Sequence, residues 1–133
     1  MATSSGKIFS LAEANDILPT VSSITAEVVE RLDVIRQQYG FDLEKGGPEV
    51  PEVILKEVEK SLSEWSEQVL QLGAHPKGFF TVDFQSFDPE LLYCWTYGED
   101  KIRYTHKVWE SFTHRRPLSG GAEAPADHLK WIN

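Results

Sequence analysis

The chain is poor in cysteine, and this limits both the covalent links and the kinds of metal site that it can build. Cys94 is the single cysteine among 133 residues, which excludes an internal disulfide and a site made of several cysteines from one chain. A chain of this length buries one hydrophobic core without such links. One unpaired cysteine fits a reducing compartment, so we expect a cytoplasmic protein.

The sequence also lacks long apolar segments and an excess of positive charge. It contains no run of eighteen apolar residues, and its first ten residues do not have the charged-then-apolar order of a signal peptide. The net charge is −8, whereas nucleic-acid binding requires a clustered positive surface. We therefore expect neither a membrane nor a nucleic acid as partner.

Charge is unevenly distributed along the chain. Residues 10–72 contain 13 acidic and 5 basic residues, a net charge of −8. Residues 101–118 contain 5 basic residues and 1 acidic residue, a net charge of +4. An anionic partner, or the acidic part of a second copy, would therefore meet the second region.

Two long helical segments are predicted in the first half. Ser10 and Glu13 form a Ser-x-x-Glu capping box. Apolar residues then recur every three or four positions, first up to residue 39 and again over residues 54–72. Pro19 either kinks one long helix or separates two; we favour a short helix at 11–17 followed by a long one at 19–39. With a loop at 40–51 and a stop at Gly73, residues 9–73 form an antiparallel helical hairpin.

After Gly73 the apolar period changes from 3.6 to 2, which is typical of strands. Three strands are predicted at 79–85, 91–97 and 102–108, joined by two short turns. Residues 79–118 then form a three-stranded antiparallel meander with a basic tail. The helical hairpin covers one face of this sheet, so the sequence predicts a single two-layered α+β domain. Residues 119–133 have the composition of a linker, ending in apolar residues that can dock.

Several short blocks of sequence resemble a known bacterial family. Their positions are Leu11-x-Glu13-Ala14-Asn15-x-x-Leu18-Pro19, Val82-Asp83-Phe84, Cys94-Trp95-x-x-Gly98-Glu99, Ile102-x-Tyr104-x-His106 and Phe112-x-x-Arg115-x-Pro117-Leu118. Together they span most of the chain and resemble the domain of unknown function 2203. Phe80-Thr81 stand where that family pattern has Gly-Leu, and Thr105 stands where it has tryptophan. The resemblance implies no activity, cofactor or partner.

The residues that offer a metal or ligand site are Asp83, Glu99 and His106. If the strands pair in chain order, these three side chains converge near one end of the sheet, and two carboxylates with one imidazole are sufficient for a divalent metal. The alternative is structural: a histidine on an apolar strand face is commonly a core residue, and a turn carboxylate commonly caps backbone amides. No metal-ligand spacing motif accompanies them.

Arg115 and Cys94 have similar pairs of interpretations. The guanidinium of Arg115 suits a small carboxylate or phosphate ligand, or it ties the tail to the acidic helices. Cys94 could act as a nucleophile with His106 as base. Because it lies in mid-strand between two aromatic residues, a buried structural role is the preferred interpretation.

Two function classes are consistent with these observations. The preferred one is a non-catalytic interaction module that self-associates, its acidic helices meeting the basic C-terminal region of another copy. The alternative is a protein that binds a small ligand, an anion or a divalent metal, with catalysis as a further option, at a site made by Asp83, Glu99, His106 and Arg115.

Overall fold

The computed structural model describes residues 7–39 and 51–118. The predicted loop at 40–51, apart from its last residue, and the predicted C-terminal tail at 119–133 therefore lie outside the described residues. Two helices come first, α1 (Leu11–Tyr39) and α2 (Glu52–Gln71). Five strands follow: β1 (His75–Lys77), β2 (Thr81–Gln85), β3 (Leu91–Thr96), β4 (Tyr104–Lys107) and β5 (Arg116–Pro117). The predicted α+β class is confirmed.

α1 begins with the predicted capping box and continues through Pro19. The Ser10 backbone N–H donates to Glu13 Oε1 at 2.9 Å, and the Glu13 N–H donates to Ser10 Oγ at 3.0 Å. The predicted break at Pro19 is wrong, because the helix runs without interruption from Leu11 to Tyr39. Leu18 and Val21 are buried on either side of the proline, and burial of two such side chains, about 1.5–3 kcal/mol each, offsets a proline cost of about 3 kcal/mol.

α2 packs antiparallel to α1. The Trp65 indole N–H donates to Thr25 Oγ1 at 2.9 Å, whereas Arg31, further along α1, donates to Ser61 Oγ, earlier in α2. The predicted apolar period over residues 54–72 includes Leu62, but Leu62 is exposed and its neighbour Ser61 is buried instead. α2 ends just before Gly73, which adopts a φ of 92° as the predicted helix stop. Among the residues described, no helix is long and apolar enough to cross a membrane.

The sheet is an antiparallel meander of five strands in the order β1-β2-β3-β4-β5, so the predicted number of three strands is wrong. The three predicted strands are its central ones. The two additional strands lie at the edges and are very short, and each contains a proline, Pro76 in β1 and Pro117 in β5. Because proline lacks a backbone N–H, it is confined to edge strands, and a short run that contains it does not have a strand pattern.

The first predicted strand also starts later than expected. Phe79 and Phe80 lie in a short 3₁₀ turn with φ of 55° and 57°, and β2 begins at Thr81. This left-handed conformation costs a residue with a side chain about 1–2 kcal/mol. Phe80 packs edge-to-face against Trp65, with ring centroids 5.2 Å apart. Phe79, in contrast, is 82% exposed.

Alternation along the strands gives the sheet two different faces. Val82, Phe84 and Trp95 lie on the face that packs against the helices, in one core with residues of α1 and α2. Asp83 and Cys94 lie on the opposite face, and they too are buried. Residues of the second face are therefore buried although the helices do not cover them. This face contains the candidate site.

Candidate metal and ligand site

A pocket of about 600 Å³ opens on the sheet face turned away from the helices. Asp83 of β2 and His106 of β4 reach it from the sheet, together with Leu92 of β3. Phe79, from the 3₁₀ turn before β2, and Phe112, from a second 3₁₀ turn at Phe112–His114, line its sides. The pocket thus places two buried ionisable groups among apolar and aromatic walls, which is the usual make-up of a ligand site.

Asp83 and His106 contact each other through their side chains, two strands apart. His106 Nε2 lies 3.2 Å from each of the two carboxylate oxygens of Asp83. The other ring nitrogen, Nδ1, lies 2.8 Å from the backbone carbonyl of Lys107, which can only accept a hydrogen bond, so Nδ1 bears a proton. Nε2 therefore faces two acceptor oxygens, and either a proton or a cation must lie between them.

Cys94 of β3 completes a group of three buried donors. It pairs with Asp83 across β2 and β3, and one donor atom from each of Asp83, Cys94 and His106 lies within 4.8 Å of the other two. Burial raises the pKa of the Cys94 thiol well above its ordinary value, and the negative charge of Asp83 raises it further. Without a cation the thiol is protonated, as is typical of a buried cysteine.

The same carboxylate changes the titration of His106. The hydrogen bond to Asp83 raises the pKa of His106 above its ordinary value, although burial acts in the opposite direction. A protonated imidazole between Asp83 and the Lys107 carbonyl satisfies all three groups. A divalent cation would satisfy the same groups, and its charge would also favour the thiolate of Cys94.

Arg115 and Glu99 form a second buried pair behind Cys94. The guanidinium of Arg115 makes two hydrogen bonds to the Glu99 carboxylate, and its Nη1 lies 3.9 Å from Cys94 Sγ. The guanidinium also stacks between the rings of Tyr104 and Phe112, with centroids 4.0 and 4.2 Å away. Arg115 is completely buried and packs in the core of its own chain. Direct binding of a carboxylate or phosphate ligand, as predicted for Arg115, would need an exposed guanidinium.

The structure therefore separates the four predicted site residues into two pairs. Asp83 and His106 meet as expected, whereas Glu99 pairs with Arg115 and accepts the Thr96 backbone N–H at 3.0 Å, so it does not belong to the group of donors. Cys94 takes its place. The sequence contained a signal for this arrangement, because Asp83, Cys94 and His106 all lie on one side of strands that pair in order.

The basic segment at 101–118 is largely neutralised by its own surroundings. Arg103 donates to Asp100 at 3.0 Å, and Arg116 pairs with Glu110 at 2.8 Å, while Arg115 pairs with Glu99. Two of these three acidic partners precede residue 101, so the net charge counted from that residue overstates the local positive charge. The structure gives little support to this segment as a docking surface for acidic helices.

Fold and site together define a small two-layered α+β protein with an open pocket, floored by ionisable groups, on the sheet face turned away from the helices. The family model "Uncharacterized conserved protein (DUF2203)" matches residues 7–118. The chain belongs to this family, in agreement with the resemblance seen in its sequence. No match was found among curated proteins or among solved structures.

Proposed function

We propose that this protein binds a divalent metal, most suitably Zn²⁺, through Asp83 Oδ, Cys94 Sγ and His106 Nε2, and presents it to a small molecule in the pocket. The observation that carries the proposal is the buried His106 Nε2 that faces both carboxylate oxygens of Asp83 at 3.2 Å. Three protein ligands with a remaining open position are the arrangement that catalytic zinc sites use.

The distances fit such a site. With metal–nitrogen and metal–oxygen bonds of about 2.1 Å, a tetrahedral arrangement separates two ligand atoms by about 3.4 Å, close to the 3.2 Å between His106 Nε2 and Asp83. Cys94 Sγ lies within 4.8 Å of the other two donor atoms, so a small inward movement completes the set. Thiolate, imidazole and carboxylate together suit zinc better than magnesium or calcium, which prefer oxygen ligands.

The groups around the three donors also support the proposal. A metal-binding histidine usually donates its second ring N–H to a carbonyl or carboxylate, and His106 Nδ1 has the Lys107 carbonyl at 2.8 Å. Arg115 Nη1, next to Cys94 Sγ, favours the thiolate form that a metal requires. Asp83 and His106 line the pocket, so the open position of the metal would face the ligand.

The experiment measures metal uptake directly. Protein stripped with a chelator is titrated with Zn²⁺ by calorimetry and, separately, with Co²⁺ by absorption spectroscopy. We expect one metal per chain and a thiolate-to-cobalt charge-transfer band. Cys94→Ser should abolish that band, and both Cys94→Ser and His106→Ala should weaken zinc binding by more than the roughly 10–100-fold that loss of an outer-shell partner costs.

The matched control is His114→Ala, because His114 is an exposed histidine outside the donor group. It should leave the stoichiometry and the affinity unchanged. Circular dichroism of each variant separates loss of a ligand from loss of folding. A folded, chelator-treated wild-type protein that takes up neither metal refutes the proposal, as does a Cys94→Ser variant that binds Zn²⁺ as tightly as the wild type.

Self-association is the second candidate function, and two neighbouring exposed apolar residues favour it. Val108 and Trp109 follow β4 and are 45% and 66% exposed, and aromatic residues are enriched in interfaces between proteins. We expect light scattering to show a homodimer or larger oligomer. Trp109→Ser should lower the molar mass of this assembly. A strict monomer at high protein concentration would contradict this candidate without affecting metal binding.

A further inference from the structure

Phe79 is held in a costly position where it contributes little to the core. Its φ of 55° lies in the left-handed region, its side chain is 82% exposed, and Phe80, its neighbour, makes the contact with Trp65. Bulky residues rarely keep this conformation unless the surroundings impose it, and such residues cluster at functional sites. Phe79 lines the pocket, so its ring is available to whatever enters.

A second aromatic wall is rigid. Phe112 lines the same pocket, and its ring stacks on the guanidinium of Arg115, 4.2 Å from the centroid. Because Arg115 is completely buried and paired with Glu99, it fixes the orientation of the ring. Leu92 and Val108 are two further apolar residues of the lining, so the pocket suits a flat apolar group.

The charged residues of the pocket favour a ligand whose acidic group lies at the floor formed by Asp83 and His106. Lys77 is a cation on the pocket wall, and Glu110, an acid on the same wall, has its carboxylate paired with Arg116. A Zn²⁺ ion held by one carboxylate, one thiolate and a neutral imidazole leaves no net negative charge on the floor. An anionic oxygen group is then the natural ligand for the open metal position.

We infer that the pocket accepts a small aromatic acid, whose ring contacts Phe79 and Phe112 and whose anionic oxygen group binds at the cluster of Asp83, Cys94 and His106. This inference rests on the proposed metal binding and specifies the class of ligand. The metal and Lys77 would bind the acidic group, and the two phenylalanines would contact the ring.

The test compares two probes that share one metal-binding head. Zinc-loaded protein is titrated by calorimetry with benzohydroxamate, which has a phenyl group, and with acetohydroxamate, which has a methyl group in its place. We expect the aromatic probe to bind about tenfold tighter or better, because burial of a phenyl ring removes more apolar surface from water. Phe79→Ala should reduce this ratio by at least about fivefold and leave acetohydroxamate affinity unchanged.

The matched control is Phe87→Ala, since Phe87 is another strongly exposed phenylalanine, 72% accessible, that does not line the pocket. Its affinity ratio should equal that of the wild type. If the protein takes up no zinc, the proposed function is wrong and the inference falls with it. If zinc binds and Phe79→Ala keeps the wild-type ratio, only the inference is overturned. If Phe79→Ala instead lowers the oligomer mass without changing the ratio, Phe79 belongs to an interface between copies, which also overturns it.

Discussion

The buried pair of Arg115 and Glu99 allows a prediction about the stability of the protein. Arg115 is completely buried, and the side chain of Glu99 is 7% exposed. Replacing Arg115 by methionine keeps most of the apolar contact with Tyr104 and Phe112 but leaves the Glu99 carboxylate buried without its cation. Loss of one partner of such a pair costs about 3–5 kcal/mol, a large part of the roughly 5–15 kcal/mol that stabilises a typical domain.

A double-mutant cycle tests the reasoning. Glu99→Gln removes the charge and retains an oxygen that can accept the Thr96 N–H, so Arg115→Met combined with Glu99→Gln should be more stable than Arg115→Met alone by at least about 1 kcal/mol. Urea denaturation of the wild type and the three variants gives the free energies of unfolding. A double variant that is no more stable than Arg115→Met would show that the cost does not come from an unpaired carboxylate.

The remaining predictions concern the core of the helical hairpin and the stability of the protein at acidic pH. Trp65→Ala should lower the free energy of unfolding by about 3–5 kcal/mol, because Trp65 is 5% exposed and donates to Thr25; an unchanged denaturation midpoint would contradict the packing of α2 on α1. Hydrogen bonds from Arg116 and from the Lys107 backbone lower the pKa of Glu110 to about 2. The stability that this pairing contributes is therefore complete above the ordinary glutamate pKa of about 4.3, declines as the pH falls below that value, and is lost once the pH has fallen through about 2. A ¹³C titration that finds the Glu110 carboxyl group protonated at about pH 4 in folded protein would show that this pairing is absent.

The sequence was informative where one period or motif dominated. The capping box at Ser10 and the stop at Gly73 are both confirmed, and Trp65, within the predicted apolar period of residues 54–72, is buried. Pro19 was misinterpreted because local propensity favours a break there, while the continuous buried stripe of α1, a tertiary effect, keeps the helix intact. β1 and β5 were missed since two or three residues that include a proline have no measurable period.

The candidate site was predictable only in part. Asp83 and His106 were chosen because their residue types suit a metal, and they do meet. The residue type of Glu99 and its position in a turn suggest a site residue, but the buried guanidinium of Arg115, sixteen residues later, pairs with its carboxylate. The sequence neighbours of Cys94 predict a core position. Strand alternation shows its place beside the donors only when it is combined with the register that pairs Cys94 with Asp83 across β2 and β3.

The short proline-containing strands at the two edges of the sheet affect how this protein can assemble. An exposed strand edge with free backbone groups invites another strand to add to it, and proline and short length are two ways in which natural sheets prevent this. Pro76 and Pro117 each remove a backbone donor from an outer strand, and β1 and β5 contain three and two residues. Strand addition is therefore disfavoured at both edges of the sheet described here, which guards the chain against fibre-like stacking and leaves side-chain surfaces as the route by which copies of it can meet.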